Sequence, residues 1–154
     1  TASLFGASMR VGGCINNRSK KEKEALESFG RNLGICFQIT DDILDYSSKE
    51  KVFGKKIGND FLEGKITLPI ILLFQKSNKI ERQIINKFFS QDVRNQDDFN
   101  KTLDLIKKYK IIETCKKRAD YFSNVAADSL SIFEKNFTIE KLQELSFYIV
   151  NRLN

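Results

Sequence analysis

Between Leu26 and Leu44 the apolar and small residues Leu26, Phe29, Leu33, Cys36, Phe37, Thr40 and Leu44 recur at steps of three and four, while Ile35, Ile39 and Ile43 fill a second face. That spacing is the helical period, and a helix apolar on nearly all sides over its later half has to lie centrally, with the rest of the chain built around it. Ser19 followed by Glu22 is a capping-box pattern, so the helix is expected to start there and to run to about Tyr46. Gly30 and Gly34, one turn apart, cost helix propensity and mark a tight helix crossing. No stretch alternates with period two for long enough to compete as a strand, and there is no internal repeat or low-complexity segment. The expected architecture is an all-α helical bundle.

The other elements follow the same period. Thr1 to Ile15 mixes small and apolar residues and reads as a buried helix that neighbours approach closely, weakened at Gly12-Gly13 and closed by Asn16-Asn17-Arg18. Ser47 to Asp60 is a polar loop punctuated by glycine, and helix resumes from about Lys65 to Gln75, with Pro69 tolerated near its start. Short amphipathic helices carry Ile80, Ile84 and Phe88, then Phe99, Leu103 and Ile106. A longer one carries Ile112, Cys115, Ala119, Phe122, Ala126, Leu130 and Phe133. Thr138 is the expected N-cap of the last helix, with Leu142, Leu145, Ile149 and Leu153 turned inward.

With 154 residues, 41% of them hydrophobic and 11% aromatic, the chain has the material for one packed core. A net charge of +6 and a pI near 9.2 are compatible with nucleic acid, a membrane surface or small anionic substrates. Acidic residues are interspersed among the lysines throughout, which argues against a nucleic-acid face. No apolar run reaches the length of a membrane span, and no signal-peptide pattern is present. Cys14, Cys36 and Cys115 are odd in number and widely spaced, without a CxxC pair or a single histidine, which excludes a common zinc site. They read as reduced core residues of a cytoplasmic protein.

The chemistry concentrates between Phe37 and Pro69. On a helix Asp41 and Asp45 share a face one turn apart, with Asp42 a quarter-turn round and Gln38 one turn before. Three carboxylates near a helix C-terminus repel one another and oppose the macrodipole, so a cation is expected. The EF-hand alternation is absent and soft ligands are lacking, which favours Mg²⁺ shared with phosphate oxygens over calcium or zinc. A solvated acidic helix end is the plain alternative. The following loop shifts the balance, because Lys55, Lys56 and Lys65 are point charges suited to a diphosphate and Gly54, Gly58 and Gly64 allow close backbone approach.

FQITDDILDY followed by GKKIGNDFLEGKITLP resembles the second aspartate-rich motif and flanking loop of the trans-isoprenyl diphosphate synthases, the polyprenyl synthetase family, and LQELSFYIVNRLN resembles that family's closing helix. The resemblance implies that Asp41, Asp42 and Asp45 hold Mg²⁺ against the diphosphate of an allylic substrate, which Lys55 and Lys65 contact. Lys56 falls where relatives commonly have proline and stays outside the core site. Gln38 and Thr1 match polar positions facing the developing allylic cation, Phe37 lies beside them, and Asp60 matches a supporting carboxylate. The implied reaction is ionisation of the allylic diphosphate, condensation with isopentenyl diphosphate and elimination, with pyrophosphate taking up the proton, so the lack of histidine is no obstacle.

Family members are about twice this length, and the first aspartate-rich motif and the isopentenyl diphosphate-binding arginines have no counterpart here. The expectation is a single partial domain over residues 1–154, the C-terminal half of a long-chain (octaprenyl-type) synthase, with the EGKITLP form resembling the quinone side-chain branch. Alone it is expected to be inactive. It needs the N-terminal half or a partner subunit, and it tends to homo-oligomerise. The rival readings are a catalytically silent prenyltransferase-like subunit and a basic helical nucleic-acid binder.

Overall fold

The computed structural model describes residues 1–47 and 57–152, so Lys55, Lys56, Gly54 and Leu153 lie outside the described residues. Among the described residues there are eight helices and no strand: α1 (Ala2–Ile15), α2 (Lys20–Asp45), α3 (Asn59–Leu62), α4 (Leu68–Lys76), α5 (Lys79–Phe89), α6 (Gln96–Lys108), α7 (Ile111–Ser129) and α8 (Phe137–Asn151). The all-α expectation holds. No helix among these is long and apolar enough to cross a membrane. The chain gathers into two compact units, one of Thr1–Thr40 with Lys116–Asn154 and the other of Asp41–Cys115.

In the first unit, α2 begins at the expected capping box. The Ser19 amide donates to Glu22 Oε2 at 2.8 Å and the Glu22 amide to Ser19 Oγ at 3.3 Å. Gly30 and Gly34 do mark a tight crossing, that of α1 over α2. A Cβ at Gly30 would overlap the Phe5 carbonyl and come within 2.8 Å of Met9 Cγ, and one at Gly34 would lie 2.7 Å from Ala2 Cα. The Cys36 side chain is fully buried, and burial pushes its thiol up to about 11. Across the unit, Ser28 and Ser129 hydroxyls meet at 2.9 Å, and buried Ser123 donates to the Ser146 carbonyl at 2.8 Å.

Several expectations for this unit need correction. α1 is not buried: Leu4, Val11 and Ile15 are 69%, 54% and 75% exposed, and only Gly6 and Gly13 are buried, because α1 uses its small residues to meet α2. The end of α1 is as expected: the helix runs through Gly12-Gly13 to Ile15 and closes at Asn16, its C-cap. Cys14 is exposed, unlike Cys36 and Cys115. α7 stops at Ser129, short of Phe133. The cap of α8 is Asn136, whose side chain accepts from the Ile139 amide at 3.0 Å, and not Thr138. On α8 the buried residues are Ser146 and Ile149, whereas Leu145 is exposed.

The second unit is built on an aromatic cluster. Phe61, fully buried, packs its ring against Phe88, Phe89 and Phe99 at 6.3, 5.4 and 5.6 Å, and Tyr46 tilts against Phe99 at 6.0 Å. Burying each such ring is worth about 1.5–3 kcal/mol relative to exposure. Pro69 lies in the first turn of α4, as expected. α5 turns a different face inward from the one read off the sequence: Ile80 and Ile84 are exposed, and Glu81, Ile85 and Phe88 are buried.

Burying Glu81 is possible because both carboxylate oxygens find donors. Its carboxylate takes the Lys108 ammonium at 2.7 Å, the Tyr109 hydroxyl at 2.6 Å and the Asn78 amide at 2.9 Å, the last as half of a capping box. Lys108 first, then Tyr109 and the Asn78 amide, hold its pKa down to about 2 from an ordinary 4.5. A depressed folded-state pKa contributes stability that is complete above about 4.5 and is lost as pH falls through about 2. The melting temperature is therefore expected to drop between these values, and Glu81→Gln to flatten that acid limb. Parallel profiles for parent and variant would contradict the assignment.

Candidate diphosphate and metal site

Asp41, Asp42 and Asp45 occupy the last turn of α2, and the structure gives them different surroundings. Asp45 accepts the amides of Asn59 and Asp60 on its two oxygens, at 3.1 and 3.0 Å, while its own carbonyl accepts the Gly58 amide at 2.9 Å. Burial pushes its pKa up, opposed by the Asp60 and Asn59 amides and reinforced by the Asp60 charge. Asp42 is 7% exposed and accepts the Leu68 amide at 3.4 Å, serving the start of α4, where Thr67 makes no side-chain cap. Asp41 is half-buried. The repulsion expected among the three acids is thus answered in part by backbone N–H groups at two helix starts.

The segment after α2 is folded by two glycines in the left-handed region, Gly58 (φ 83°) and Gly64 (φ 77°), which bracket α3. At Gly58 a Cβ would also meet the Phe99 ring at 2.7 Å, so the aromatic cluster fixes the approach to Asp60. Past Gly64 the Lys65 amide donates to the Asp60 carbonyl at 2.8 Å, and the Lys65 ammonium reaches Asp60 Oδ1 at 2.9 Å and Glu63 Oε2 at 2.7 Å. Glu63 first, then Asp60, raise the pKa of Lys65, so it stays a cation at any ordinary pH.

Thr1, Phe37 and Gln38 belong to the other unit. Thr1 stands at the N-cap of α1, and its Oγ1 donates to Gln38 Oε1 at 3.1 Å. Phe37 stacks on Phe5 with ring centroids 6.1 Å apart. Arg152, at the end of α8, lies 5.9 Å from the Phe37 ring centre. The structure therefore brings together Thr1 with Gln38, and Asp60 with Lys65. Lys55 lies outside the described residues. Glu63, the second partner of Lys65, went unread in the sequence although it is two residues away.

The donor chemistry fits a hard divalent cation, since the side chains present at this helix end are carboxylates. Among the described residues no three His, Cys, Asp or Glu side chains gather closely enough to hold a metal ion by themselves. Mg²⁺ is commonly held by one or two carboxylates and completed by water and substrate phosphates.

The site thus consists, in an all-α chain, of an aspartate-rich helix end followed by an Asp60–Lys65 pair that closes across Gly64. The polyprenyl synthetase family model matches residues 1–106, and the chain belongs to that family. It is 34% identical over 131 residues to a geranylgeranyl diphosphate synthase of Sulfolobus acidocaldarius, covering 85% of this chain and 39% of that protein. It is 28% identical over 152 residues to an octaprenyl diphosphate synthase of Haemophilus influenzae, covering 99% of this chain and 46% of that one. Among solved structures, a polyprenyl synthase from Caulobacter crescentus complexed with calcium and isoprenyl diphosphate superposes with a TM-score of 0.90 at 32% identity, covering 99% of this chain and 46% of that one. The chain thus spans less than half the length of these relatives.

Proposed function

We propose that these residues supply the allylic-diphosphate side of a prenyltransferase that condenses isopentenyl diphosphate with an allylic diphosphate into a trans-polyprenyl diphosphate. The observation that carries this reading is the Asp60–Lys65 pair, folded by Gly58 and Gly64 and tied through the Asn59 and Asp60 amides to Asp45 of the aspartate-rich turn. Asp41, Asp42 and Asp45 would hold Mg²⁺, which when bound draws charge from the diphosphate and eases its departure. Lys65, with Lys55, neutralises the same leaving group, an effect that grows as water is excluded. Asp60 holds Lys65 in place. The Gln38 oxygen, oriented by Thr1, and the ring of Phe37 stabilise the allylic cation.

A long-chain product is supported by the likeness of EGKITLP to the quinone side-chain branch. The exposed apolar residues of α1 support further protein packing there, as a separate part of the enzyme, a partner subunit or another copy. The 154-residue chain alone is accordingly expected to incorporate no labelled isopentenyl diphosphate into farnesyl diphosphate. Elongation by the purified chain unaided would refute the half-site reading.

A further inference from the structure

We infer that Arg94 is a positioning residue for Lys65, an inference that rests on the diphosphate role proposed for that lysine. The short helix α3 ends at Leu62, and the turn that follows delivers Lys65. Within the turn the amides of Glu63, Gly64 and Lys65 are spent on Asn59, Phe61 and Asp60 carbonyls at 2.9, 2.9 and 2.8 Å. The Leu62 carbonyl at this helix end is taken by Arg94, whose Nε donates to it at 3.2 Å. The same guanidinium donates through Nη1 to the Gln91 carbonyl at 2.7 Å, in the connection between α5 and α6. One planar fork therefore ties the turn carrying Lys65 to a separate part of the unit.

The fit is close. A Cβ on Gly64 would come within 2.5 Å of Arg94 Nη2, so the missing side chain at residue 64 is what admits the guanidinium. Asp45 fixes the start of α3 through the Asn59 and Asp60 amides, and Arg94 fixes its end. Asp60 belongs to the first tie, and Lys65, paired with Asp60, follows directly on the second. A lysine at position 94 could reach one carbonyl or the other as a point donor, but not serve both in a fixed plane.

The test is a double-mutant cycle on the full chain, read by calorimetric affinity for inorganic pyrophosphate with Mg²⁺ and by amide hydrogen exchange at Gly64 and Lys65. Arg94→Ala is expected to weaken pyrophosphate roughly tenfold and to speed exchange at both amides. Arg94→Lys should recover only part of each. In Lys65→Ala the further change Arg94→Ala should cost little more, because Arg94 acts through Lys65. Unchanged affinity in Arg94→Ala, full recovery in Arg94→Lys, or losses that simply add would each overturn the inference. If the parent chain binds no pyrophosphate, the proposed function fails first and this role of Arg94 with it, an outcome visible before any substitution is made.

Discussion

Replacing Gly30 with alanine is expected to destabilise the protein by about 2 kcal/mol, within the range for overpacking a filled contact, although alanine is the better helix former by about 1 kcal/mol. The new methyl would run into the Phe5 carbonyl, a backbone atom that moves only if α1 lifts from α2. Gly12 provides the control. A Cβ there meets nothing within 4 Å, so Gly12→Ala should stabilise by about 0.5–1 kcal/mol through helix propensity alone. Chemical denaturation of the two variants decides the matter. Equal, favourable shifts at both positions would remove the tight crossing from the account.

The second large effect concerns Asp45, which has two separable duties. As a cap it accepts the Asn59 and Asp60 amides, so Asp45→Ala should cost about 1–2 kcal/mol of stability, as for a lost helix cap. Asp45→Asn keeps one good acceptor and should lose roughly half of that. As a charge, Asp45 is proposed to bind Mg²⁺, so both variants should weaken Mg²⁺-dependent pyrophosphate binding by at least roughly 10- to 100-fold. Stability that tracks the acceptor and binding that tracks the charge would establish both roles. Asp45→Asn with unaltered affinity would leave only the cap.

Much of this was readable because the signals were local. Ser19 with Glu22, Pro69 in the first turn of α4, and Gly30 with Gly34 at a crossing each depend on a few neighbouring residues whose geometry the helix fixes. The face of α5 was not readable in the same way. Ile80, Ile84, Phe88 and Glu81, Ile85, Phe88 both follow helical spacing, and the choice depends on Lys108 and Tyr109, some 27 and 28 residues away, which make a buried carboxylate affordable. The end of α7 carries no glycine or proline to announce it, and at α8 Asn136 captured the cap two residues before Thr138.

In the candidate site, residue types and spacing pointed to carboxylates and lysines, but not to the division of labour among them. That Asp42 and Asp45 serve backbone amides of Leu68, Asn59 and Asp60 follows from how the chain turns at Gly58 and Gly64, a tertiary fact. Arg94 sits in a polar stretch, QDVRNQ, with nothing in its own neighbourhood to distinguish it from a solvated charge. Its meaning depends on the Leu62 carbonyl it meets.

The most direct test is a calorimetric titration of the chain with inorganic pyrophosphate, with and without Mg²⁺, repeated for Lys65→Ala and Asp41→Ala. Saturable one-to-one binding that requires Mg²⁺ and is weakened by either substitution is the predicted result. Absent binding, or binding indifferent to Mg²⁺ and to both substitutions, would contradict a diphosphate site at this helix end.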